Sequence, residues 1–139
     1  MGHAACGAVG IASDNTRVLA FVGDGAMLLQ NEVSTAVQHL LPIIWLVMND
    51  ACYNMCRQVP NLADSSAPEC SIPQVDFALY GRALGAAGYS ASFVKELRES
   101  IESAIAVGTP TVIDARIDGN VRAPVGARTA SLAQGRRLR

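Results

Sequence analysis

Residues 42–48, Pro-Ile-Ile-Trp-Leu-Val-Met, are an unbroken apolar run that stops at Asn49-Asp50. A membrane span needs about 20 such residues, so this run belongs inside a protein core. It does not alternate apolar with polar, as a strand with one wet face does, and reads as a strand buried on both faces. Strands of that kind occur in parallel sheets covered by helices on each side.

The rest of the chain alternates to match. Residues 3–13 are rich in Ala and Gly, as suits a helix lying close against other backbone. Residues 17–22 read as a strand ending at Gly23-Asp24-Gly25. A helix is expected over 26–41, where Val33, Ala36, Val37 and Leu40 recur at helical spacing. Residues 58–74 hold three prolines and two acids without periodicity, and read as a long loop, functional or mobile. Asp76 is a candidate N-cap for a helix that stops at Gly85. Another helix over 93–107 is expected to bury Val94, Leu97, Ile101 and Ile105, with Gly108 ending it. Residues 111–117 form the last strand, and no internal repeat is present. The expected fold is α/β, an open parallel sheet with helices on both faces.

Composition narrows the function. The 139 residues suffice for one domain with a real core, and 50% are hydrophobic, which excludes a disordered or fibrous chain. The opening Met-Gly-His-Ala-Ala-Cys has neither a basic segment nor a cleavage-site pattern, so a cytoplasmic chain without membrane contact is expected. Cys6, Cys52, Cys56 and Cys70 show no zinc spacing and read as free thiols. Residues 121–139 form an arginine-rich tail, Arg122 to Arg139, flexible or folded over a site as a lid. The tail has no aromatic residue to stack a base and the net charge is −1, so nucleic acid is not an expected partner.

The chemistry lies where two strands end. A strand–helix–strand crossover is nearly always right-handed, so both strands point their carboxyl ends the same way. Ligands of open α/β sheets bind at those ends. Asp24 and Asp50 can therefore converge. Gly23 and Gly25 permit a sharp turn and close approach of a ligand, and the helix that follows aims free N–H groups at it. Two carboxylates beside a phosphate group would repel it without a metal. Magnesium takes oxygen ligands from carboxylate and phosphate together.

Gly23-Asp24-Gly25, then a helix and a hydrophobic strand, then Asn49-Asp50, resembles the cofactor motif of thiamine-diphosphate (ThDP) enzymes. The resemblance covers nearly the whole chain and is nearest to the acetolactate synthase and 2-keto acid decarboxylase group. Tyr53-Asn54-Met55 and Thr109 to Asp114 also follow that family's pattern. It implies a ThDP- and Mg2+-binding domain over 1–120. Asp24 and Asp50 would be side-chain ligands of magnesium, and Cys52 would add its backbone carbonyl. Asn49 is the alternative ligand if the register shifts by one. Gly23, Gly25 and Ala26 would hold the diphosphate, Met1 would prop the cofactor into its bent shape, and Tyr53 and Met55 would lie beside cofactor or substrate.

Two departures qualify the resemblance. The second residue of the pair is usually Asn, and here it is Asp50. Family members also carry a strand and a helix before the Met1 position, and their activating Glu sits in a separate pyrimidine-binding domain. Glu32 lies on the helix after the diphosphate turn and cannot replace it. The expectation is a subunit or part of a longer enzyme that acts on a 2-keto acid only with a pyrimidine-domain partner, as a dimer or larger oligomer. The alternative is an inactive assembly subunit with the same fold.

Overall fold

The computed structural model describes residues 1–14, 16–29, 31–57 and 70–121. Its strands β1 (Val18–Gly23), β2 (Ile43–Asn49), β3 (Ala87–Ala91) and β4 (Thr111–Arg116) form one sheet in the order β1-β2-β4-β3. Every pairing is parallel. The apolar run 42–48 becomes β2, next to the edge strand β1. Ile43, Trp45 and Val47 are buried on one face of it, and Ile44 and Leu46 on the other.

Helices cover both faces, unequally. The Trp45 face carries α1 (His3–Ala12), α3 (Glu32–Gln38) and α5 (Phe77–Ala83). The opposite face carries α6 (Val94–Val107), packed across β3 and β4. Leu19 and Phe21, in register with Ile44 and Leu46, stay 44% and 64% exposed beyond its cover. The small side chains of α1 explain its place: Ala5, Ala8 and Ala12 are buried and let the helix lie close to the sheet. The fully buried Trp45 indole donates its N–H to the Ala5 carbonyl at 3.1 Å, so the ring enters the core without leaving a donor unpaired.

The expected ends of α5 and α6 hold. Asp76 caps α5 by accepting from the Leu79 N–H at 2.8 Å, and Gly85 follows that helix with φ of 89°. Gly108 closes α6 with φ of 69°. All four cysteines are free. Among the described residues no helix is long and apolar enough to cross a membrane.

Others need correction. The helix expected over 26–41 is two: a single turn α2 (Asp24–Met27), then α3 after a break. Of its periodic residues Val33, Ala36 and Val37 lie on α3, while Leu40 falls beyond that helix with φ of 52° and is exposed, as are Leu28 and Leu29 between the two helices. On α6, Val94 and Ile105 are 79% and 43% exposed, and the residues turned inward are Leu97, Ser100, Ile101 and Ala104. Small side chains at 100 and 104 let the helix approach the sheet, which rotates the larger residues out. Strand β3 was not expected at all. Residues 58–69 of the long loop and 122–139 of the tail lie outside the described residues.

Candidate functional site

β1 and β2 run side by side with Gly23 opposite Met48, so their carboxyl ends bring Asp24 and Asp50 to one edge of the sheet. Asp24 opens α2 and is 4% exposed. One of its oxygens accepts from the Gly25 N–H at 2.6 Å and the other from the Cys52 N–H at 3.3 Å. The second bond depends on Ala51, whose left-handed φ of 53° turns the chain back toward Asp24. Burial pushes the Asp24 carboxyl above its ordinary range, and the nearby charge of Asp50 pushes the same way. The N–H groups of Gly25, Cys52 and Ala51 pull it down. Neither Asp24 nor Asp50 is ion-paired with a basic side chain among the described residues.

Asp50 is instead held by amide groups. Its Oδ2 accepts from the Asn54 carboxamide at 2.6 Å. Asn54 opens the short helix α4 (Asn54–Arg57), which also carries Met55 and Cys56. The Cys52 carbonyl accepts from the Asn54 N–H at 2.7 Å and keeps a second lone pair. The Cys52 thiol is buried, and that burial pushes it above the usual thiol range. An isolated antiparallel bridge to Ser71 ties this segment to the end of the long loop.

The glycine turn is crowded on one side. A Cβ added to Gly25 would lie 2.7 Å from the Tyr53 Cδ1, closer still to its Cε1, and 3.5 Å from the Met1 methyl. Gly25, Tyr53 and Met1 therefore meet at one place. Ala26 lies partly buried behind this turn. Gly23 is exposed at its start, and Met55 is 53% exposed nearby in sequence on α4.

Asn49 goes elsewhere. Its carboxamide donates to the Asp114 carboxylate at 2.8 Å and to the Val75 carbonyl at 3.0 Å, and accepts from Gln74 at 3.3 Å. Asp114 is fully buried, accepts from the Phe77 N–H at 3.2 Å, and pairs with Arg116 at 2.9 Å. This network binds the ends of β2 and β4 to the start of α5, and sequence reasoning missed it. The available signal was an acid inside an apolar strand with an arginine two residues on, hence on the same face.

No three His, Cys, Asp or Glu side chains cluster among the described residues. A cation between Asp24 and Asp50 would thus draw its other ligands from backbone, water or a bound anion.

Comparison with known proteins agrees with this geometry. The family model of the thiamine pyrophosphate enzyme C-terminal TPP binding domain matches residues 1–115. A putative acetolactate synthase large subunit, IlvB2 of Mycobacterium tuberculosis, is 34% identical over 89% of this chain and 23% of its own length. A 3D-(3,5/4)-trihydroxycyclohexane-1,2-dione hydrolase of Halalkalibacterium halodurans is 30% identical over 84% of this chain and 20% of its own. The chain thus spans under a quarter of the length of these relatives. Benzoylformate decarboxylase of Polynucleobacter necessarius shares the fold, with a TM-score of 0.69 at 24% identity over 82% of this chain and 22% of that one. With the family model running from Met1 through three strands and into the fourth, to Ala115, the chain belongs to the C-terminal TPP-binding domains of thiamine pyrophosphate enzymes.

Proposed function

We propose that this domain binds the diphosphate of ThDP through a magnesium ion held between Asp24 and Asp50. It does so as part of an enzyme that breaks or forms the bond next to the carbonyl of a 2-keto acid. The observation that carries the reading is the pair of neighbouring carboxylates, one of them buried, with no basic side chain among the described residues paired to either. Such a pair is costly by itself and fits a hard divalent cation with oxygen ligands. The donor set fits magnesium: two carboxylates and the Cys52 carbonyl from the protein, and the remainder from diphosphate and water.

The roles follow from position. Ala26, in the turn after β1, offers its backbone N–H to the diphosphate, while the Gly25 N–H, bonded to Asp24, holds the turn and Gly23 leaves room for the diphosphate's approach. Met1 and Tyr53, meeting over Gly25, would shape the space for the cofactor's body, and Met55 would face the substrate side. The buried Asn49 carboxamide has its nitrogen fixed on Asp114 and Val75 and its oxygen accepting from Gln74, which favours Asp50 as the second ligand. When bound, ThDP supplies the electron sink into which the bond beside the keto group breaks. The chain's own contribution is to hold it in place and exclude water.

A carboxylate that activates the cofactor is assigned to another domain, because Glu32 begins α3 and not the Asp24 turn. The working unit is therefore a dimer or larger assembly that supplies a pyrimidine-binding domain. The relative named as an acetolactate synthase supports the 2-keto acid class. Calorimetric titration of the purified protein with ThDP, with and without Mg2+, tests the reading. Magnesium-dependent binding that Asp24→Ala abolishes is the expected result. Affinity that survives in Asp24→Ala would overturn the site.

A further inference from the structure

The turn that follows β4 reaches back to Asp50. The Asp118 carbonyl accepts from the Val121 N–H at 3.1 Å, and the Asp118 carboxylate accepts from the Asn120 N–H at 2.9 Å, so residues 118–121 form a tight, self-bonded turn. That turn presents the Gly119 carbonyl to α4. Asn54 donates to it at 2.8 Å, and Arg57 donates to it as well. The Arg57 Nε donates to the Asn54 oxygen at 3.1 Å. The other N–H of the Asn54 carboxamide is the one bonded to Asp50 Oδ2 at 2.6 Å. Asn54 is thus a junction whose two N–H groups and oxygen are all engaged. A Cβ on Gly119 would lie 2.9 Å from Asp50 Oδ2 and 3.0 Å from the Arg57 Nη2, so a side chain there would displace one or both of these groups.

We propose that Asn54 is a positioning residue for Asp50. Its carboxamide fixes Oδ2 toward the Gly119 turn and leaves Oδ1 directed to the cation. The inference rests on the cation site proposed above. Among the described residues Asp50 has no basic side chain paired with it, so there its orientation depends on a neutral donor. Asn54 is the only side-chain donor that the described residues give it. Partners of metal ligands in other sites change metal affinity by about 10- to 100-fold when removed. The Gly119 carbonyl belongs to the same device: it orients Asn54 as Asn54 orients Asp50.

Mn2+ serves as the probe, with free Mn2+ followed by electron paramagnetic resonance as the purified full chain is titrated in the presence of ThDP. Wild type, Asn54→Gly, Asp50→Ala, the double variant and Asp24→Ala are compared, each checked for folding by thermal melting. Asn54→Gly is expected to weaken Mn2+ about tenfold or more. In the Asp50→Ala background the same change is expected to have no further effect, because the group being positioned is gone. A merely structural role for Asn54 would cost the same in both backgrounds. If wild type binds and Asp24→Ala does not, while Asn54→Gly binds as wild type or loses equally in both backgrounds, the positioning role is overturned and the cation site stands. If wild type takes up no Mn2+, or Asp24→Ala takes it up equally well, the cation site falls and the positioning role falls with it.

Discussion

The Asn49 carboxamide donates to the Asp114 carboxylate at 2.8 Å, joining adjacent strands β2 and β4 inside the core. Asp114 also accepts from the Phe77 N–H and is paired with Arg116. Removing the carboxylate would take a bond from each of three donors, one of them the Arg116 cation, and leave the Phe77 N–H without its acceptor in the core, while Asn49 and Arg116 keep the Val75 carbonyl. Asp114→Ala is therefore expected to cost about 3–5 kcal/mol of stability, in the range for breaking a buried pair. Urea unfolding checks this as a fall in midpoint with little change in slope. A loss under about 1 kcal/mol would show that water replaces the network easily, contrary to the burial of Asp114.

The approach of α5 to the sheet yields a second expectation. A Cβ on Gly88 of β3 would lie 3.0 Å from the Ala78 carbonyl carbon and closer still to its oxygen. The neighbour is helix backbone, which cannot rotate away. Gly88→Ala should then cost about 1–3 kcal/mol, the range for overpacking, despite the general preference for Ala over Gly in strands. A thermal melt equal to wild type would mean that α5 shifts on the sheet without penalty.

That contact also explains what the sequence hid. Strand β3 reads Ala-Gly-Tyr-Ser-Ala, neither alternating nor continuously apolar, because α5 lies on its backbone and leaves no space for larger side chains. Periodicity reports side chains that fill space, so it is silent where backbone packs on backbone. The same applies to α6, where Ser100 and Ala104 face inward and the leucine-like stripe is only half-buried. By contrast, β2 and the Asp24 turn were legible because each carries a local signature: an unbroken apolar run, and glycines on both sides of an acid at a strand end. What holds Asp50 was not legible. Asn54 is only four residues from it, but the Gly119 carbonyl that fixes Asn54 is far off in sequence and is brought there only by the fold.

Backbone strain at the site gives a third expectation. Ala51 adopts φ of 53°, a conformation that costs a residue with a Cβ about 1–2 kcal/mol. Glycine adopts it freely, at the expense of a more flexible unfolded chain. Ala51→Gly is expected to raise stability by about 1 kcal/mol while keeping the Cys52 N–H aimed at Asp24. Chemical denaturation measures the change. A loss of stability would show that the Ala51 side chain contributes packing worth more than the strain it carries.

The carboxyl of Asp24 supplies the last expectation. Burial, assisted by the charge of Asp50, raises its affinity for a proton above that of an unfolded chain. The folded state then binds the proton more tightly than the unfolded state. Its contribution to stability is fully present below the unfolded value, about 3.9, and is lost as pH rises through the higher folded value. Asp24→Asn has no such proton to lose. In chelator, wild-type stability minus that of Asp24→Asn should therefore decline as pH rises from about 4 toward neutrality. Any constant cost of the substitution, such as a weakened bond from Cys52, moves the whole curve and not its slope. Added Mg2+ should restore wild type at neutral pH and leave Asp24→Asn unchanged, since a cation neutralises the repulsion that burial made costly. Thermal melts of both proteins across that pH range measure the slope. A flat difference would mean that the N–H groups of Gly25, Cys52 and Ala51 already balance the burial of the charge.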